Sequence, residues 1–78
     1  MSVSNYNDAT AVTPSDTDNL ADSGMLYIGG AGSGGLKVTT KGGSTITFAG
    51  VTVGLFQGLE VERVWSTGTD VTNIVVLH

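Results

Sequence analysis

The sequence contains no cysteine, one proline (Pro14) and one histidine, at the last position. Without cysteine the 78-residue chain forms no disulfide, and a single terminal imidazole makes a histidine-based metal site unexpected. A chain of this size removes only about 60% of its unfolded surface from water on folding. Short domains compensate for such a small core with disulfides, metals or partner subunits. We therefore expect an oligomer or a component of a larger assembly.

Charged residues are also scarce, at 13% of the chain, about half the usual share. The net charge of −4 argues against a nucleic acid as partner, because such a partner requires a basic surface. The acidic charge is uneven, since residues 1–35 contain four aspartates and no lysine or arginine. No apolar run approaches the roughly 20 residues of a membrane-spanning helix, so no membrane partner is expected.

The residues that are abundant indicate β-structure. Residues 1–24 are polar and acidic, and we interpret them as an extended N-terminal arm, whereas residues 25–78 are dense in valine, threonine and glycine. These are poor helix formers, and no apolar period of 3.6 residues persists. The sequence predicts one all-β domain, a small antiparallel β-sandwich or barrel of jelly-roll-like type at 25–78, preceded by the arm.

Alternation and turn residues locate the strands. A turn over 15–19, which Ser15 or Asp16 can cap, follows Pro14. Gly42 and Gly43 predict a hairpin turn at 41–44, after which Ile46 and Phe48 are expected to point inward. The predicted strands cover residues 9–13, 25–28, 35–40, 45–48, 55–66 and 71–77.

The longest predicted strand is irregular. In a regularly alternating strand, Arg63 would share a face with the apolar Val61 and Trp65, while Val64 would share the other face with Glu62. Either a β-bulge near Glu62 and Arg63 resets the phase, or both faces of this strand are covered, as in an interface strand. The sequence does not choose between these alternatives.

The glycine-rich stretch at 30–35 satisfies the G-x-G-x-x-G pattern of dinucleotide sites. That chemistry requires a helix N-terminus directly afterwards, facing the pyrophosphate. The residues that follow, 36–40, are strand-like, so we interpret the stretch as a β-loop.

Two groups of carboxylates match patterns of functional sites, but each has a simpler structural interpretation. Asp16, Asp18 and Asp22 offer oxygen ligands of the kind calcium prefers, but aspartates that flank a turn are usually caps and solubilising charge. Glu60 and Glu62 share one strand face about 7 Å apart, as in a paired-carboxylate site. A solvated face, with Arg63 or a lysine across the strand, is the simpler interpretation.

His78 is the only imidazole, and a terminal residue frays, which makes it a poor general base. Ser33 has alanine instead of glycine two positions before it, so no serine lies in a nucleophile elbow. We predict no catalytic, metal-binding or cofactor-binding residue, no cofactor, and no enzymatic activity.

Six short segments occur in a recognisable order along residues 9–77. They read A-V-T-P-S-D-T at 11–17, L-Y-I-G-G-A-G at 26–32, F-A-G-V at 48–51, V-E-R-V at 61–64, S-T-G-T at 66–69 and I-V-V-L at 74–77. In this order the chain resembles the small head-spike base proteins of tailed phages and gene-transfer agents. It departs from them at Trp65, where a smaller aliphatic residue is expected, and in the glycine-rich stretch 29–35.

The resemblance implies a non-enzymatic virion protein on the capsid surface. Its expected partners are copies of itself, as a pentamer or trimer, the major capsid protein, and a projecting spike or fibre protein. We expect the arm to reach over a neighbouring subunit or the capsid. The candidate interface residues are Val12 and Pro14 in the arm and Phe56 and Trp65 on the long strand.

Three other functions stay open on the sequence. A capsid cement or decoration protein clamps coat subunits and carries nothing, and a tail or baseplate adaptor is a further virion component. A small carbohydrate-binding β-domain is the alternative outside the virion. It would need exposed aromatic side chains, for which Tyr6, Tyr27 and Trp65 are the candidates.

Overall fold

Six antiparallel strands build the domain. The structure, a computed structural model, describes residues 8–78, with side chains everywhere except at positions 57 and 58. The strands are β1 (Ala9–Ala11), β2 (Gly24–Gly30), β3 (Leu36–Thr40), β4 (Thr45–Phe48), β5 (Gly54–Val64) and β6 (Thr72–Leu77). They form one sheet in the order β1-β6-β2-β5-β3-β4. The predicted all-β antiparallel fold is confirmed, and within residues 8–78 no helix is long and apolar enough to cross a membrane.

The core lies on the inner side of this sheet. In β2, Leu26 and Ile28 are fully buried, and in β3, Leu36 and Val38 are fully buried. The predicted alternation of β3 is confirmed, because its even-numbered residues point inward while Lys37 and Thr39 do not. The complete core consists of Leu26, Ile28, Leu36, Val38, Val61, Val64, Val71, Ile74 and Val76.

Strand β5 curls the sheet around this core. Its beginning pairs with β2, where Phe56 faces Leu26, and its end pairs with β3. Between these two stretches the register shifts, so that Val61 faces Gly24. Such irregularities bend a strand and increase its twist. Residues of β2, β3, β5 and β6 thus share one core within a single sheet.

A second irregularity in β5 explains why Arg63 interrupts the apolar alternation of this strand. Arg63 pairs with Thr39 and Val61 with Thr40, so Glu62 is an extra residue on β5. Val61 and Val64 are therefore both buried, although strict alternation would place them on opposite faces. Of the two alternatives, the bulge near residues 62–63 is confirmed.

The inward-facing side chains of the edge strand β4 are only partly covered. Ile46 pairs with the buried Val38 and therefore shares its inner side, but its side chain remains 44% exposed. Phe48, which pairs with Leu36, is half-buried. The predicted inward direction of both side chains is confirmed, although Ile46 is not buried. A strand with a neighbour on one side only lacks the residues that would cover it.

Residues 8–24 are attached to their own domain. After β1, the backbone N–H of Ser15 donates to the Val64 carbonyl at 2.9 Å, and that of Leu20 donates to the Glu62 carbonyl at 2.7 Å. Val12 and Leu20 pack against the core. The described part of the predicted arm therefore helps to cover the core, while residues 1–7 lie outside the described residues. A contact of the arm with a neighbouring subunit stays a prediction.

Candidate interaction surfaces

Trp65 is held on the outer side of β3 and β5. Its indole Nε1–H donates to Thr39 Oγ1 at 2.9 Å. Lys37 Nζ lies 4.4 Å from the ring centroid and Arg63 Cζ lies 5.2 Å from it, a favourable arrangement of cations around an aromatic ring. Tryptophan and arginine are the residues most enriched at binding hot spots. The composition around Trp65 therefore suits its predicted interface role.

Arg63 also fastens the arm to β5. Its Nε donates to Asn19 Oδ1 at 2.8 Å, and its guanidinium donates to the carbonyls of Thr17 at 3.1 Å and Asp16 at 3.4 Å. Within the turn, Ser15 Oγ accepts a hydrogen bond from the N–H of Thr17 at 3.2 Å. Residues 15–19 are therefore a capped turn, as predicted, and Ser15 is its cap.

Asp16 joins the same turn to the loop after β5. The N–H of Thr67 donates to Asp16 Oδ1 at 2.8 Å, and the Thr67 hydroxyl donates to Asp16 Oδ2 at 2.6 Å. Hydrogen bonds to the ionised form favour that form. The Thr67 side chain above all, together with the Thr67 backbone, lowers the pKa of Asp16.

The lowered pKa predicts an acid-dependent loss of stability. A carboxyl group with a lowered folded-state pKa stabilises the fold above its ordinary pKa, and this contribution disappears as the pH falls through the lowered value. We expect urea unfolding, measured from about pH 7 to about pH 2, to show a smaller fall in unfolding free energy for Asp16→Asn than for wild type. Thr67→Val should flatten the profile similarly, because it removes the hydroxyl donor. Asp18→Asn controls for the loss of one charge, and identical wild-type and Asp16→Asn profiles would contradict the assignment.

The other predicted interface residues lie elsewhere. Phe56 faces the buried Leu26 and makes an edge-to-face contact with Phe48, with ring centroids 4.9 Å apart. Val12 packs against the core, and Pro14 is half-buried. Phe56 is thus on the inner side of the sheet and Trp65 on the outer side, so the structure does not bring these two together. A shared interface role for the four residues stays a prediction.

An exposed apolar surface was not predicted from the sequence. Tyr27 pairs with Leu55 on one neighbouring strand and with Val75 on the other, and Tyr27 and Leu55 are 41% and 49% exposed. Residues 25–28 are all apolar, which is the signal of a strand with two apolar sides. We call this surface the outer apolar face, and it consists of Ala11, Met25, Tyr27, Leu55, Val75 and Leu77.

The glycine-rich stretch is a loop between strands. It leads directly into β3, and it is anchored by Asp70, whose Oδ1 accepts the N–H of Gly35 at 2.8 Å. Gly32 has a φ of 52°, a left-handed conformation that glycine adopts without strain. The β-loop interpretation is confirmed.

The acidic side chains have separate partners. Asp22 Oδ2 lies 3.8 Å from Nδ1 of His78, whereas Asp16 is bonded to Thr67. Glu60 accepts a hydrogen bond from Ser23 Oγ at 2.7 Å and lies 3.8 Å from Lys41 Nζ, which agrees with the solvated-face interpretation. In the described part of the chain, no three histidine, cysteine, aspartate or glutamate side chains are grouped to hold a metal ion.

The comparisons with known proteins agree with this architecture. No family model and no curated protein matches the chain. Among solved structures, it is similar to a chain from "Capsid of native GTA particle computed with C5 symmetry", GTA being a gene-transfer agent. The two chains are 28% identical with a TM-score of 0.76, and the match covers 96% of this chain and 86% of that one. This likeness supports the prediction of a virion structural protein located at the capsid.

Proposed function

We propose that the chain is a head-spike base, a virion protein that oligomerises on the capsid and anchors a projecting spike or fibre. The observation that carries the proposal is the likeness, over 96% of this chain, to a chain of a gene-transfer-agent capsid. That neighbour is a chain of a particle's capsid, which supports a structural rather than a catalytic role. Its particle was computed with C5 symmetry, which favours a pentamer over a trimer.

The outer apolar face supports the need for a partner. It extends across β1, β6, β2 and β5 and contains no charged side chain among its six defining residues. Large exposed apolar patches mark interaction surfaces on small proteins. We assign this face to the contact with the major capsid protein, and we retain Trp65 with its two cations as a candidate contact to the spike or fibre.

The number of copies per particle tests the function directly. Quantitative mass spectrometry of purified particles, calibrated against the major capsid protein, should give about one ring of subunits per occupied vertex. Electron microscopy of particles that carry a tagged chain should place the label at the base of the spikes. Hundreds of copies spread over the shell would identify a cement protein instead, and a label confined to the tail would identify a tail or baseplate adaptor.

A charge placed on the outer apolar face is expected to weaken capsid attachment. Tyr27→Asp and Leu55→Asp each put a carboxylate where apolar contact is proposed, and both positions are exposed enough that the fold should persist. We expect capsid binding in co-sedimentation to fall by at least tenfold, which corresponds to about 1.4 kcal/mol. Ser33→Asp, at an exposed position of the loop before β3, should bind like wild type.

Unchanged binding by folded Tyr27→Asp and Leu55→Asp would show that the capsid contact lies elsewhere. Loss of binding by Ser33→Asp as well would show that added negative charge alone repels the particle. Circular dichroism of every variant distinguishes these outcomes from unfolding.

A further inference from the structure

Both edges of the sheet are exposed. Strands β1 and β4 occupy the two ends of the strand order, and residues 8–11 and 41–47 are exposed throughout. Edge strands are often kept short or protected by charged residues, proline or bulges, because their free backbone groups can pair with another chain. Neither Ala9–Ala11 nor Thr45–Phe48 contains a charge or a proline, and the register of each strand with its neighbour is regular.

The backbone groups on the β4 edge follow from its pairing. The N–H of Thr40 donates to the carbonyl of Ser44 at 2.8 Å, so these two residues form a hydrogen-bonded pair. In an antiparallel ladder the bonded and non-bonded pairs alternate. Residues 46 and 48 therefore bond to β3, and Thr45 and Thr47 direct their N–H and C=O groups to the free edge.

The β1 edge has the same arrangement. The N–H of His78 donates to the carbonyl of Asp8 at 3.0 Å, and that of Val12 donates to the carbonyl of Ile74 at 2.9 Å. Residues 8, 10 and 12 thus bond to β6, and alternation directs the N–H and C=O groups of Ala11 away from the sheet. On β4 the outward donors and acceptors lie two residues apart, whereas on β1 the N–H of Ala9 already donates to Asp8 Oδ1 at 2.8 Å, so Ala11 supplies the outward N–H of that edge.

Strand direction makes the two edges compatible. Six strands that pair antiparallel with every neighbour place β1 and β4 in opposite directions. When the β4 edge of one copy lies beside the β1 edge of the next, with the strands along a common axis, the new pair is antiparallel as well. The sheet can therefore continue from copy to copy without a change of pairing type.

Charge favours the same arrangement. Residues 36–48, which include β3 and β4, contain Lys37 and Lys41 and no acidic residue. Residues 8–22, which include β1, contain four aspartates and no lysine or arginine. Opposite charge on two surfaces steers their encounter and disfavours contact between like surfaces. Two β1 edges, each beside the acidic arm, would repel one another.

We propose that β4 of one copy pairs with β1 of the next copy, joining the subunits head to tail. The occupant of the β4 edge is thus a second copy of this chain. A contact between two different surfaces of one subunit repeats around a ring when the rotation closes. This inference rests on the self-assembly in the proposed function and identifies the surfaces that perform it.

Proline substitutions at outward-facing positions test the contact. Thr47→Pro and Ala11→Pro each remove an N–H that the described sheet does not use, and edge strands tolerate proline there. We expect both variants to fold but to be monomeric in native mass spectrometry at concentrations where wild type is a ring. Thr47→Val and Ala11→Ser, which keep the N–H, should still assemble. If either proline variant unfolds, Thr47→Lys and Ala11→Lys protect the same edges by charge.

Mixing the two proline variants gives the sharpest result. Thr47→Pro retains an intact β1 edge and Ala11→Pro retains an intact β4 edge, so exactly one contact remains possible between them. The mixture should form one-to-one heterodimers and nothing larger. Three results would overturn the proposal. The first is a ring formed by either proline variant alone, and the second is a β4-to-β4 dimer of Ala11→Pro. The third is a wild-type protein that stays monomeric at about 100 μM, because its contact would then be weaker than typical specific contacts.

Failure of this inference is distinguishable from failure of the proposed function. The function is read from copy number and label position on particles, whereas the edge contact is read from purified protein in solution. Loss of capsid binding by Thr47→Pro with an intact ring would mean that the β4 edge serves the coat protein instead of a second copy.

Discussion

Leu26→Ala is expected to lower the free energy of unfolding by about 3–5 kcal/mol. Leu26 is fully buried on the central strand β2, between β6 and β5. Its removal leaves a cavity that the packed neighbours fill only in part. The total stability of a chain of this length is on the order of 4–12 kcal/mol, so a large share is lost. Urea unfolding followed by Trp65 fluorescence measures the difference.

Leu55→Ala is the matched control, because it deletes the same atoms from an exposed position. Leu55 lies on β5 and is 49% exposed, so the expected cost is below about 1 kcal/mol. The comparison is made under conditions in which both variants are monomeric, since assembly would add stability to the folded state. Equal losses for the two leucines would mean that the outer side of β2 and β5 is as closely packed as the inner side.

Local patterns predicted the parts of the fold that depend on neighbouring residues. The alternation of β3, the glycine turn at 41–44 and the capped turn at 15–19 are encoded within a few residues of sequence. Each is confirmed by the structure. The bulge at Glu62 left a local trace as well, because Arg63 occupies an apolar position of the alternation, for which a bulge is one of two explanations.

Features set by distant pairing could not be predicted in this way. Nothing near Ile46 in sequence shows that β4 is an edge strand, so its exposure depends on the strand order. The register shift between β2 and β5 likewise depends on which residues meet across the sheet. Residues 8–24 read as an arm because they are polar, but their backbone groups bond to β6 and β5.

The candidate surfaces show the same contrast between what neighbouring residues predict and what distant pairing determines. Trp65 was predicted from its size, and the structure places two cations beside it. The outer apolar face was missed because Tyr27 and Leu55 are far apart in sequence and become neighbours only when β2 pairs with β5. Its trace in the sequence is the uninterrupted apolar run 25–28, which is longer than a one-sided strand needs.

Gly24→Ala is expected to destabilise the protein by about 3 kcal/mol, at the upper end for an overpacked site. Gly24 is buried where β2 meets both Val61 on β5 and the end of β6. A Cβ there would overlap the carbonyl oxygen of Leu77 and lie 3.1 Å from Val76 Cγ2. The obstacle is backbone, so a rotamer change cannot relieve it. For a domain of this size, the melting temperature should fall by roughly 12–24 °C.

Gly42→Ala separates this steric effect from the general effect of replacing glycine. Gly42 lies in the exposed β3–β4 turn, where the nearest atom to an added Cβ is Thr40 Oγ1 at 3.7 Å, an ordinary contact. Alanine there should raise stability by about 0.4–1 kcal/mol, because it restricts the unfolded chain. Thermal melts of the two variants should therefore shift in opposite directions. A wild-type melting temperature for Gly24→Ala would mean that β6 can move away from β2 at Leu77, and with it the β1 strand that pairs with Leu77 through Ala9.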